Sequence, residues 1–262
     1  MKHWIESKES CCKKDHSSSA VPQLRGGGEK FFSRQARDKL SSNNKNLMYK
    51  EIKIILIFII SIFLIPFAVL AHQPRLVEGS GIIQVKNPEI SQAFYGELRG
   101  TYQDFKIDSA KPFNLYINVL APDLPMLKTD MSAEIFKLTP ATTSLAVLNG
   151  ANFNWTKFYE PFAGDSYLKG PEFRREVGAG QYLIRVFSSN YKGKYSLAIG
   201  EQESFSLGEA WQTLIILPGL KNTFFNKSPW TIFFNYIGLY LLGLLLVLAM
   251  VIFFIWRVIK KF

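Results

Sequence analysis

Glu160, Asp165 and Glu172 fall in one short stretch beside Trp155, Phe158, Tyr159 and Tyr167. Carboxylates flanked by aromatic rings could cleave a glycoside, one acting as acid and the other as base or nucleophile across the bond. They could equally hydrogen-bond a sugar or peptide while a ring stacks on it, or give their oxygens to calcium. The plainer alternative is a solvated loop whose aromatics finish a core. The candidate binding set is therefore Trp155, Tyr159, Glu160, Asp165, Tyr167 and Glu172.

His72 carries a second possibility. If a signal peptidase cuts after Ala71, His72 becomes the N-terminal residue. Its free amine and Nδ1 could then chelate Cu(II), with a carboxylate completing the site. The plain alternative is an accident of the cleavage position. Other chemistry is limited because the chain beyond Ala71 has one histidine and no cysteine. A Ser-His-Asp triad would have only His72 as its base, and zinc sites of the His/Cys type lack ligands. No phosphate-cradling glycine loop or dinucleotide fingerprint is present.

What positions these residues is decided first by two apolar runs. Ile54–Ala71 has no charge and comes after Lys50, Glu51 and Lys53. It sits at the lower edge of the length that crosses a hydrocarbon core of roughly 30 Å. Pro66 interrupts it, and Val69-Leu70-Ala71 suits a signal peptidase, so the run reads as a cut signal or an uncut signal anchor. Thr231–Trp256 is the second run, uncharged from Tyr236 to Trp256, bracketed by Trp230 and Trp256 and followed by a tail holding Arg257, Lys260 and Lys261. It reads as a membrane helix. Gly238 and Gly243 are not at the spacing of a helix-pairing motif.

The net charge of +10 divides along the same lines. Residues 1–50 hold 11 Lys/Arg against 5 Asp/Glu, whereas residues 72–230 hold 16 against 15. Basicity that flanks membrane runs, with a neutral middle, is the positive-inside distribution and not a nucleic-acid face. It predicts both runs anchored from the cytoplasmic side, with 72–230 outside. Cys11 and Cys12 precede the first run, so no disulfide staples the exported part. Residues 1–47 are polar and aperiodic and read as disordered, or as upstream of a true start at Met48.

Between the runs the chain reads as strands. Phe113, Leu115, Ile117 and Val119 alternate with Asn114, Tyr116 and Asn118, Tyr182, Ile184 and Val186 alternate with Leu183, Arg185 and Phe187, and Tyr195, Leu197 and Ile199 resume the same period. The last two sets, joined by Ser188–Gly193, read as a hairpin. Gln92–Leu98, Asp104–Ile107, Ala133–Leu138 and Phe173–Val177 are shorter candidates, and the spacing predicts a sandwich or barrel. Ser206-Leu207-Gly208-Glu209 has capping-box spacing and starts a helix that Pro218 should stop. Leu207, Trp211, Leu214, Ile215 and Leu217 would line one side of it, facing lipid or the β-domain.

Gly180-Gln181-Tyr182-Leu183-Ile184-Arg185-Val186, followed by Gly193-Lys194-Tyr195-Ser196-Leu197, resembles the closing strands of the prepeptidase C-terminal-type β-sandwich. The exported region, with His72–Leu76 and the loop from Gly164-Asp165 to Gly170-Pro171, also looks like uncharacterised bacterial membrane-anchored proteins. These resemblances imply an envelope location and supply no activity.

The expected fold is an all-β sandwich, jelly-roll-like, over 72–200. It comes after a signal peptide or signal anchor at 48–71 and precedes a juxtamembrane helix and linker at 201–230, a membrane helix at 231–256 and a cytoplasmic tail at 257–262. The expected role is non-enzymatic binding of a glycan, peptide or protein partner at the bilayer, with no cofactor, or calcium or copper at most. The alternatives are a membrane-tethered glycan hydrolase and an accessory subunit of a membrane complex.

Overall fold

The computed structural model describes residues 28–64, 72–125, 129–204 and 206–260. The chain divides into two units, Met1–Ile65 and Pro66–Phe262. In the first, a helix α1 runs over Gly28–Leu64. Residues 28–47, read from composition as lacking a fold, are helical here. Glu, Lys, Arg, Gln, Ala and Leu are good helix formers, and they recur from Glu29 to Leu40. Residues 1–27, with Cys11 and Cys12, lie outside the described residues. So do Pro66 and Ala71, on which the choice between a cut signal and an anchor turns.

The second unit holds eleven strands among its described residues. In chain order they are β1 (Gln73–Leu76), β2 (Ile83–Val85), β3 (Gln92–Arg99), β4 (Gln103–Ser109), β5 (Phe113–Pro122), β6 (Ser132–Lys137), β7 (Thr143–Leu148), β8 (Thr156–Glu160), β9 (Asp165–Val177), β10 (Gly180–Phe187) and β11 (Lys192–Ile199). A six-stranded sheet has the order β1-β3-β11-β5-β9-β8, and a five-stranded sheet β2-β4-β10-β6-β7. Their inner faces share one core, with Phe94, Leu115, Ile117, Val119, Tyr195 and Leu197 from the first meeting Phe105, Ile107, Ile135, Tyr182, Ile184 and Val186 from the second. This is a β-sandwich, as the alternation requires.

The last two strands differ from the expected hairpin. β10 pairs with β4 and β6, while β11 pairs with β3 and β5, so they lie in different sheets. The segment between them arches across the sandwich. Alternation alone does not separate the two cases, because a strand buries the same residues whether its neighbour in sequence lies beside it or across the core.

A helix α2 spans Leu207–Thr223. Ser206 caps it, its Oγ accepting from the Glu209 amide at 3.2 Å. Glu209 does not complete a capping box; its carboxylate takes a two-pronged bond from Arg75 of β1, both contacts at 2.9 Å. Pro218 does not stop the helix. A proline in a helix interior costs about 3 kcal/mol, and burying Leu217 and Leu220 returns about 1.5–3 kcal/mol each. Nor do the five expected apolar positions share a side. Leu217 faces the sheet, whereas Leu207, Trp211 and Ile215 are exposed. A 3-10 turn, Pro229–Phe233, then leads to α3, Tyr236–Ile259. Among the described residues, the stretch Tyr236–Arg257 of α3 is the one long and apolar enough to cross a membrane.

Candidate functional site at the sandwich–helix junction

The candidate residues fall on β8, β9 and the strand ends around them. Glu160 closes β8 and Asp165 opens β9, and the two are direct register partners across the hairpin. The stretch read as a loop from Gly164 to Pro171 is therefore mostly strand. Its irregularity is confined to a bulge, where Gly170 and Pro171 stand opposite Val119 between the pairs Asn118/Glu172 and Leu120/Lys169. A proline survives there because the ladder is already broken. Asn118 satisfies the bulge, its Nδ2 donating to the Gly170 and Pro171 carbonyls at 3.1 and 3.3 Å.

The bulge also shifts which residues face outward. Asp165, Tyr167 and, beyond it, Glu172 share the outer face of the six-stranded sheet. Along the strand Asp165 and Glu172 are separated by roughly 20 Å at about 3.3 Å per residue, well beyond the ~5–9.5 Å of glycosidase carboxylate pairs. Glu172 is exposed, bonded to Lys169 at 3.0 Å and accepting from Tyr116 Oη at 3.2 Å. Lys169 holds its carboxyl below the ordinary range.

Glu160 and Asp165 are close enough to act together, but both are committed. Glu160 accepts from the backbone amides of Phe162 and Ala163 at 2.7 and 2.8 Å, folding the hairpin tip over its own carboxylate. Burial raises its pKa, with those two amides pulling it back. Asp165 is completely buried. Its Oδ2 accepts from Lys221 of α2 at 2.6 Å and its Oδ1 from Lys227 at 2.9 Å. Burial pulls the Lys221 ammonium below its ordinary value, and Asp165 opposes that pull.

The aromatic members divide. Trp155 belongs to the main core, its Nε1 donating to the Gly150 carbonyl at 2.8 Å and its ring filling the space above Gly170. Tyr167 is buried against α2, with its hydroxyl 2.8 Å from that of Tyr95, and burial raises both phenols. Tyr159 is 59% exposed. Between this face and α2 lies a cavity of about 60 Å³, bordered by Glu160, Tyr95, Tyr167 and Thr213. It has room for a few waters and none for a sugar ring. His72 is at its rim, the residue exposed overall but its ring packed enough for desolvation to lower the imidazole pKa. His72 Nδ1 is hydrogen-bonded to Ser91 Oγ.

Three residues outside the expected set complete the arrangement. Lys221 and Lys227 neutralise Asp165, and they also donate to the carbonyls of Ala163 and Gly164 respectively. Asn235 donates from Nδ2 to the Ala163 carbonyl at 2.7 Å, while its Oδ1 accepts from the Gly238 amide at 3.0 Å and so caps α3. Gly164 has φ +73°, and a Cβ there would stand 3.0 Å from that of Asn235. Leu120, Tyr167, Ala198, Leu217, Phe224 and Ile237 pack around this polar knot. The sequence signal was a lysine amid Leu217, Leu220, Phe224 and Phe225, a charge that needs a buried partner in such apolar company. The arrangement fastens the β8–β9 hairpin to α2 and to the first turn of α3.

No protein-family model matches the chain, and no curated protein does. Solved structures similar to it include the pre-peptidase C-terminal domain of collagenase from Bacillus anthracis, at 14% identity and TM-score 0.30, covering 46% of this chain and 96% of that one. CorA, a surface-associated copper-binding protein of Methylomicrobium album BG8, matches at 6% identity and TM-score 0.26, covering 47% of this chain and 98% of that one. A β-glucosidase from Paenibacillus barengoltzii matches at 14% identity and TM-score 0.21, covering 49% of this chain and 13% of that one. The first carries the name of the domain type that the strands over 180–197 resemble.

Proposed function

We propose that the chain is a membrane-anchored cell-envelope protein whose β-sandwich stands outside the membrane as a non-catalytic binding and interaction module. The observation that supports this most is the junction itself. Asn235 caps the membrane-length helix with one end of its amide and bonds the sandwich with the other. Such a link holds a globular domain close to the bilayer. The basic residues Arg257 in the last turn of α3 and Lys260 and Lys261 after it, with Lys50 and Lys53 before Ile54, favour a cytoplasmic C-terminus and an extracytoplasmic sandwich. A cell-surface glycan or protein would meet Tyr159 and Glu172, the accessible members of the candidate set. Copper at His72 would need cleavage after Ala71 and release of Nδ1 from Ser91. Glycan hydrolysis is disfavoured by the separation of Glu172 and the pairing of Asp165.

Cysteine labelling tests the topology. With Cys11 and Cys12 changed to serine, Lys192→Cys on the sandwich should react with an impermeant maleimide on intact cells. Lys260→Cys should react only after permeabilisation. Equal labelling of both before permeabilisation would sink the reading. A second reading, an accessory subunit of a membrane complex, is favoured by the exposed apolar row Leu207, Trp211 and Ile215. A partner that co-purifies in mild detergent and is lost in Trp211→Ser would support it.

A further inference from the structure

The hairpin tip that the junction secures overhangs the first three turns of α3 and leaves a groove of about 530 Å³ between them. One wall is Tyr159 and Pro161; the floor is Leu239, Leu242 and Leu245. Gly238 lets the 3-10 turn abut α3, since any Cβ there would meet the Phe233 carbonyl. Asn235, Tyr159 and Tyr236 line the groove near the start of α3, beside the rings of Phe233 and Phe234, and Leu242 and Leu245 line it further along the helix.

From Tyr236 to Leu245 the helix rises roughly 13 Å at about 1.5 Å per residue. That is most of the roughly 15 Å hydrocarbon depth of one leaflet, below an interface where tyrosines belong. The leucines of the floor are exposed and continuous with the rest of α3, whose outer residues also stay uncovered by protein. Whatever solvates that surface solvates the groove. We infer that the groove is a binding site for one phospholipid of the outer leaflet, its acyl chain lying against Leu242 and Leu245 and its headgroup region beside Tyr159 and Asn235. The inference rests on α3 crossing the bilayer.

The test uses the full chain in phosphatidylcholine nanodiscs doped with a phosphatidylcholine that carries a diazirine in one acyl chain. After irradiation, adducts are mapped by mass spectrometry. Adducts are expected on the hairpin peptide with Tyr159 and Pro161 as well as on α3. Leu242→Trp, which fills the groove, should lower the hairpin adduct at least fivefold. Leu248→Trp, exposed on α3 outside the groove, should leave it unchanged. Adducts along α3 with none on the hairpin, a hairpin adduct insensitive to Leu242→Trp, or a copy-to-copy crosslink through the groove would each overturn the lipid site. Protein that elutes free of the nanodisc would overturn the membrane reading as well.

Discussion

Lys221 Nζ lies 2.6 Å from Asp165 Oδ2, and side-chain exposure is 1% and 0% for the two residues. They are 56 residues apart, on a helix and on the strand it covers. Lys227 reaches the other carboxylate oxygen from a third segment. An isolated buried charge is costly, so the three groups stand or fall together.

Asp165→Asn leaves Lys221 buried without a counter-ion. A loss of about 3–5 kcal/mol in unfolding free energy is expected, the usual cost of breaking a buried pair from one side. Lys221→Met should cost less, because Asp165 keeps Lys227 and the methionine fills the space. Thermal unfolding of the detergent-solubilised variants gives the order; equal losses would contradict it.

The α3 cap is tested at two positions. Asn235→Ala removes both the cap and the tie to Ala163, and should cost about 0.5–2 kcal/mol. Gly164→Ala puts a Cβ in the left-handed region, worth about 1–2 kcal/mol, and presses it on Asn235. In hydrogen exchange both should speed the amides of 238–241, and an effect confined to the hairpin would disconnect the two elements.

Glu160 sets a pH dependence. Burial raises its pKa above the ordinary 4.5, so the folded state holds the proton more tightly than the unfolded chain. Its contribution is fully present below the unfolded pKa and is lost as pH rises through the folded one. Unfolding of the parent should therefore show stability falling over that window, and Glu160→Gln should flatten it. A slope unchanged in the variant would assign it to another group.

Tyr195 offers the opposite sign. Its hydroxyl is buried with no hydrogen-bond partner among the described residues, and its ring lies where a Cβ on Gly96 would be. Tyr195→Phe removes an unpaired polar atom and keeps the ring, so stability should hold or rise by about 1 kcal/mol. A large loss would mean that the hydroxyl is bonded through water.

The inner faces were legible from residues alone. Phe113 to Val119 and Tyr182 to Val186 alternate as strands must, and their alternation does not depend on partners. Pairing was not legible, because β10 and β11 bury the same side chains in a hairpin or across an arch. β8 and the start of β9 were hidden by Gly164, Gly170 and Pro171, which read as a loop but make a turn and a bulge. Glu160 and Asp165, five residues apart in the sequence, are register partners across the β8–β9 turn. Composition could not reveal that Lys221 and Lys227 neutralise Asp165, since that contact depends on a helix continuing through Pro218.

The arch between β10 and β11 bears on the order in which the chain can assemble. β10 is central to one sheet and β11 to the other. Until residues 180–199 are available, β2 has only β4, β6 only β7, β1 only β3, and β5 has the β8–β9 hairpin beside it. Such two- and three-stranded pieces are marginal without a second layer. A ribosome, or a channel threading the chain N-terminus first, would therefore handle nearly the whole domain as unstructured polymer before both sheets close within one short interval of translation. A chain truncated after Val177 should show no protected core amides, and protection in the β2–β4 strands of that fragment would show that closure begins earlier.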